Sequence, residues 1–161
     1  MQYRTDAIED PRTIVHFGAG NGDFATAAAA RWPTASILAV EPLREQFAEL
    51  VEAADAFPNI CSIHAAVTRN TRPLHLGEHD VVAGLSADEF WGRFGLQTVG
   101  LVVISPPGSA LCVLESLEES GRIADVGHVR GYYFGPHHLE RIAEAVEETH
   151  TLHVDGSLFL A

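Results

Sequence analysis

Residues 14 to 33, IVHFGAGNGDFATAAAARWP, run from a β-branched apolar stretch through glycines at 18, 20 and 22 into an alanine-rich segment closed by Pro33. The first part reads as a strand and the segment from Asp23 to Trp32 as a helix that proline ends. A strand joined to a helix by so tight a turn is the opening of a strand–helix–strand unit. The chain is therefore expected to build a parallel sheet flanked by helices.

The rest of the sequence repeats this alternation. ASILAV reads as a second strand, and Leu43, Phe47, Leu50, Val51 and Ala54 follow at the spacing of one helix face, opposite Glu45, Glu49 and Glu52. NICSIHAAV gives a third strand, RPLHL a short one, and Ser86 can cap a helix with Glu89 at its third position. VGLVVI is apolar at nearly every position, which suits the centre of a sheet covered on both faces. Ala110, Val113, Leu114 and Leu117 form a further helix face. RIADVGHV reads as the fifth strand, and Pro136 opens a helix presenting Leu139, Ile142, Ala143 and Val146. The end differs, because Asp155-Gly156 between two apolar-rich runs signals an antiparallel hairpin. The expected architecture is α/β: a mostly parallel sheet with a terminal antiparallel hairpin, helices on both faces, and a ligand crevice at the carboxyl ends of the strands. Residues 1–161 read as a single domain with a polar N-terminal segment over 1–12.

Composition narrows the partners. Against 22 acidic residues stand 10 basic ones, all arginine, for a net charge of −12. Such a surface repels nucleic acid and anionic membranes. Cys61 and Cys112 sit among apolar neighbours and are expected to be buried thiols of a reducing compartment. MQYRTDAIEDPRT reads as too polar for a signal peptide and no stretch approaches the length that spans a bilayer, so the expected location is the cytoplasm. His75, His79 and Asp80, or His137 with His138, lack the spacing of metal ligands in a secure helix and read as solvated loop residues, so no metal is expected.

The glycine spacing is G-x-G-x-G; a dinucleotide-binding G-x-G-x-x-G would need glycine where Asp23 stands. The second strand ends at Glu41, where a carboxylate can accept both hydroxyl hydrogens of a ribose. Together, GAGNGDF, ILAVEPLREQFAEL and HAAV make the chain resemble the class I S-adenosylmethionine-dependent methyltransferases, and most of all the FkbM-type subgroup. The resemblance implies a Rossmann-like methyltransferase fold and S-adenosylmethionine as cofactor. It implies that Gly18, Ala19, Gly20 and Gly22 line the methionine portion and that Glu41, followed by Pro42, binds the ribose. Ala65 and Ala66 at the end of the third strand would border the adenine.

Two positions depart from that family. His16 stands where members carry an acidic residue facing the cofactor's amino group; neutral imidazole can accept one hydrogen bond there, whereas imidazolium would repel the charge. Ser105-Pro106-Pro107-Gly108 replaces an acidic D-x-E-G after the fourth strand, removing the obvious base. Ser105, His128 and Tyr132 are the candidates left for the catalytic edge. The aromatic run 131–136, GYYFGP, could form a substrate wall, an oligomer contact or mere sheet-edge cover. The leading expectation is methyl transfer to oxygen or nitrogen of a small-molecule acceptor. Its alternative is a degenerate relative that keeps the fold as a cofactor-binding or scaffold subunit. SPPG is also faintly similar to the motif of methyltransferases acting on nucleic acid bases, but Gly108 cannot stack on a base. A nicotinamide-dependent reductase is a third reading that the same acidic strand end could serve, but the glycine spacing and the terminal hairpin both count against it. So short a chain leaves little material for a lid, and a partner subunit, simplest as a homodimer, is expected to close the acceptor site.

Overall fold

The computed structural model describes residues 8–78, 80–105, 110–155 and 158–161. Pro106, Pro107 and Gly108 of the SPPG motif, His79, and Gly156 of the hairpin turn lie outside them. Seven strands form the main sheet: β1 (Thr13–Phe17), β2 (Ser36–Val40), β3 (Ile60–Ile63), β8 (Val99–Ile104), β9 (Val126–Tyr132), β10 (His153–Asp155) and β11 (Leu158–Leu160). Their order is β10-β11-β9-β8-β1-β2-β3. The five strands from β9 to β3 run parallel, and β11 pairs antiparallel with both β9 and β10. Four short strands make two small side sheets: β4 (Ala66–Val67) with β7 (Gly84–Leu85), and β5 (Leu74–Leu76) with β6 (Asp80–Val82).

The central strands are apolar on both sides because both sides are covered. Ile14, Ile37, Ala39, Leu101 and Val103 face α1 (Asp23–Arg31) and α2 (Arg44–Ala54), packing with Phe24, Ala28 and Leu50. Val15, Phe17, Val40, Val102 and Ile104 face α3 (Ala87–Phe94), α4 (Ala110–Glu119) and α5 (Gly135–Val146), packing with Phe90, Trp91, Leu114 and Ile142. Ser86 caps α3 by accepting the Glu89 N–H at 3.2 Å. No helix among the described residues is long and apolar enough to cross a membrane.

Four local expectations are corrected. The run expected as the third strand divides: β3 ends at Ile63, and Ala66 belongs to β4, bonded to Ala83 O at 2.9 Å, so Ala65 and Ala66 lie past the sheet edge. The fifth strand does not span 122–129; Arg122–Asp125 form a 3-10 turn and β9 runs from Val126 to Tyr132. Helix α2 covers only the edge of the sheet, so it buries a narrow face of Leu50 and Ala54 while Leu43 and Val51 stay exposed. Cys61 on edge strand β3 and Cys112 on α4 are exposed thiols rather than buried ones, because their apolar neighbours take the inward positions.

Gly22 is fixed twice. Its φ of +92° is one that side chains rarely adopt, and a Cβ there would stand 3.0 Å from Leu50 Cδ1 and 3.4 Å from Ala53 Cβ. Gly77 has φ +80° but open space around it. Gly77→Ala is expected to cost about 1 kcal/mol from backbone strain alone, and Gly22→Ala about 2–4 kcal/mol once overpacking is added. Urea denaturation of both variants checks the difference; equal losses would show that the contact with α2 contributes nothing.

Candidate active site

The glycine turn leaves the carboxyl end of β1 in the middle of the sheet. Gly18, Gly20 and Gly22 all take positive φ, and the Gly18 and Ala19 N–H groups both donate to Val40 O, at 2.8 and 2.9 Å. The turn is thereby tied to the end of β2, one residue before Glu41.

Glu41 is 3% exposed and its carboxylate points into the turn. Oε2 accepts the Gly20 N–H at 2.7 Å and Oε1 accepts the Leu43 N–H at 2.8 Å. Burying a carboxylate costs several kcal/mol, which two charge-assisted bonds of about 1.5–3 kcal/mol each can offset. Each oxygen keeps a further lone pair, so the group can still accept hydroxyl donors. Next to it, Pro42 O takes a 3.0 Å hydrogen bond from His64 Nε2, and the His64 ring stacks on Phe47 with centroids 4.8 Å apart. A carbonyl only accepts, so His64 carries its proton on Nε2. His64 was not anticipated from the sequence, since it sat inside a segment read as continuous strand.

His16 pairs in register with Ala39 and Val103, and its ring stands edge-on to Phe24 of α1 at 4.9 Å. Neither ring nitrogen has a hydrogen-bond partner among the described residues, and the same holds for Ser105 Oγ. Alternation along β8 places Ser105 on the α1 side with Leu101 and Val103, the side that His16 also faces. The Ser105 N–H extends the ladder by bonding Phe17 O at 2.8 Å. Tyr132 closes β9 one position beyond the Ile104–Gly131 pair, so Ser105 and Tyr132 are neighbours at the rim.

His128 is not at this rim. It is the third residue of β9, paired with Leu101, four residues before the strand ends. It lines a cavity of about 680 Å³ at the opposite, amino edge of the sheet, with Arg12, Gly100 and Asp125. That concavity is the amino-edge one; the glycine turn, Glu41, His16, Ser105 and Tyr132 share the carboxyl edge, where open α/β sheets bind their ligands.

No protein-family model matches the chain, and no curated protein matches it either. Solved structures do match. The precorrin-6y C5,15-methyltransferase of Geobacter metallireducens superposes with a TM-score of 0.60 at 14% identity, covering 96% of this chain and 80% of that one. A SAM dependent methyltransferase from Aquifex aeolicus gives 0.56 at 13% identity, covering 95% and 81%. The ribosomal protein L11 methylase of Lactobacillus delbrueckii subsp. bulgaricus gives 0.53 at 19% identity, covering 95% and 69%. The chain has the Rossmann-like methyltransferase fold. In that fold the acceptors named for the solved proteins range from a precorrin to a ribosomal protein, so the fold alone does not fix an acceptor.

Burial drops the His16 imidazole from its ordinary 6.5 to about 3, through loss of hydration of the charged ring. Above 6.5 the residue is neutral folded or unfolded. As pH falls from 6.5 towards 3, the unfolded chain takes up a proton that the native state refuses, and stability declines by about 1.4 kcal/mol per pH unit from this site. His16→Leu should flatten the loss of urea stability between pH 6.5 and 4 by about one proton's slope. An unchanged slope would mean that the native imidazole titrates normally.

Proposed function

We propose that this chain binds S-adenosylmethionine at the carboxyl edge of its sheet and transfers a methyl group to oxygen or nitrogen of a small-molecule acceptor. The observation that carries the reading is the buried Glu41 carboxylate aimed into the turn of Gly18, Gly20 and Gly22, with acceptor capacity left on both oxygens. The orphaned atoms fit the same ligand. Ring nitrogens of His16 and the hydroxyl of Ser105, buried and without partners among the described residues, are what a site for a ligand bearing both donors and acceptors leaves behind.

In this reading Glu41 holds the ribose, the backbone of residues 18–22 lies along the methionine portion, and neutral His16 accepts one hydrogen bond from the ammonium. The bound sulfonium supplies an activated methyl carbon that needs only an aligned nucleophile. Ser105 and Tyr132 orient the acceptor's nucleophilic atom at the rim by hydrogen bonds, so alignment rather than a strong base carries the rate. The finer FkbM-type assignment rests on the GAGNGDF and ILAVEPLREQFAEL segments, and Ala65 keeps a place beside the adenine end. The acidic, lysine-free surface supports a small acceptor over nucleic acid. We also retain the cytoplasm as location and a second copy as the means of closing the acceptor site.

Titration calorimetry with S-adenosylmethionine and its demethylated product tests the proposal. Both should bind, Glu41→Ala should weaken both at least about tenfold because a desolvated hydrogen-bonded site is lost, and His128→Ala should change neither binding nor turnover. Absence of binding to either nucleoside would end the enzyme reading. Binding with no methylated product in an unbiased metabolite screen would instead favour the degenerate cofactor-binding subunit.

A further inference from the structure

From the last residue of β9 onward the chain carries three aromatic residues in a row, Tyr132, Tyr133 and Phe134, and they part company. Tyr133 packs against the core, whereas Phe134 is 68% exposed, the most exposed large apolar side chain among the described residues. A single exposed apolar side chain is ordinary on any protein and means little by itself. What distinguishes Phe134 is how it is held.

Its N–H donates to His138 Nδ1 at 2.9 Å, and the two rings lie 25° from parallel with centroids 6.5 Å apart. A nitrogen that accepts from an amide carries no proton, so His138 bears its hydrogen on Nε2. The pair joins an apolar ring to a neutral N–H donor, two residues past the Tyr132 rim. Local charge adds a restriction. Arg141, the one arginine of α5, is taken by Glu115 at 3.2 Å and Glu144 at 2.5 Å, and His137 stands 3.8 Å from Glu140. No guanidinium on this helix is left to meet an anion.

We propose that Phe134, fixed against His138, is a stacking platform for the acceptor, and that the acceptor is a planar aromatic or heteroaromatic molecule without net negative charge. The inference rests on the reading above that the carboxyl edge of β8 and β9 faces the acceptor. A flat ring gains from stacking on Phe134 while its edge meets the imidazole N–H, and an acidic surface opposes an anionic ring at long range.

Three probes separate shape from charge: 2-naphthol, its saturated counterpart decahydro-2-naphthol, and the anion 2-naphthoate. Each is titrated into the full chain and followed by amide chemical shifts. The expected result is that 2-naphthol moves resonances of residues 132–138 and binds about three- to tenfold tighter than the saturated alcohol and than the naphthoate. Phe134→Ala should lose that advantage, while Phe134→Trp should restore it; exposure of the site means that both variants should keep the native spectrum. Equal binding of the flat and saturated alcohols, unchanged affinity in Phe134→Ala, or no binding of 2-naphthol at millimolar concentration would overturn the proposal. Cofactor affinity measured on the same samples keeps the two readings apart. Loss of naphthol binding with the cofactor still bound removes only the platform, whereas naphthol binding without cofactor binding removes only the enzyme reading.

Discussion

One carboxylate joins two bends of backbone. Glu41 accepts the Gly20 N–H on one oxygen and the Leu43 N–H on the other, so the turn after β1 and the turn after β2 are held at a fixed separation. The rest of the carboxyl edge is arranged around that clasp. The Gly18 and Ala19 bonds to Val40 O bring the turn to it, and the Glu41 N–H bond to Ile63 O, 3.0 Å, anchors its own backbone to β3. Only positive φ lets the turn present its amides inward, which explains glycine at all three positions.

The same edge concentrates what the remainder of the sheet excludes. Ile14, Ile37, Leu101 and Val103 fill the α1 side of the central strands, and polarity enters this layer towards the strand ends, at His16, Ser105 and the buried Arg130 in register with Val103. A buried neutral imidazole and a buried hydroxyl, both lacking partners among the described residues, weaken the folded state. Groups of that kind are expected where a ligand completes the hydrogen bonding. The amino edge offers a hollow of about 680 Å³, yet among the described residues its strand ends carry no glycine turn and no carboxylate of comparable burial. Volume is therefore a poorer guide here than the direction in which hydrogen-bonding groups point.

Much of this was legible in the residues. Alternation of apolar runs with helical faces announced the parallel sheet, Asp155-Gly156 announced the antiparallel end, and the spacing from Gly18 to Glu41 brought carboxylate and turn together, because a single helix and strand separate them. What the sequence concealed has physical causes. NICSIHAAV contains no glycine or proline to interrupt it, so nothing in its pattern reveals that the chain leaves the sheet at His64 and gives Ala66 to a side sheet. β9 holds Gly127 and Gly131, residues that ordinarily end strands; here Gly131 makes room for Phe159, which a Cβ would approach to 2.9 Å. Starting the strand at Arg122 and ending it at Val129, short of Gly131, put His128 at the wrong end. Helix α2 looked fully amphipathic, but an edge strand beneath it can cover only part of its apolar face, a tertiary fact that periodicity does not contain.

A crystal structure of the chain grown with S-adenosylhomocysteine bears most directly on the central claim. The account predicts the nucleoside over residues 18–22, with both ribose hydroxyls within about 3.2 Å of the Glu41 oxygens. Density for the nucleoside at the amino-edge hollow near His128, or a ribose turned away from Glu41, would contradict it.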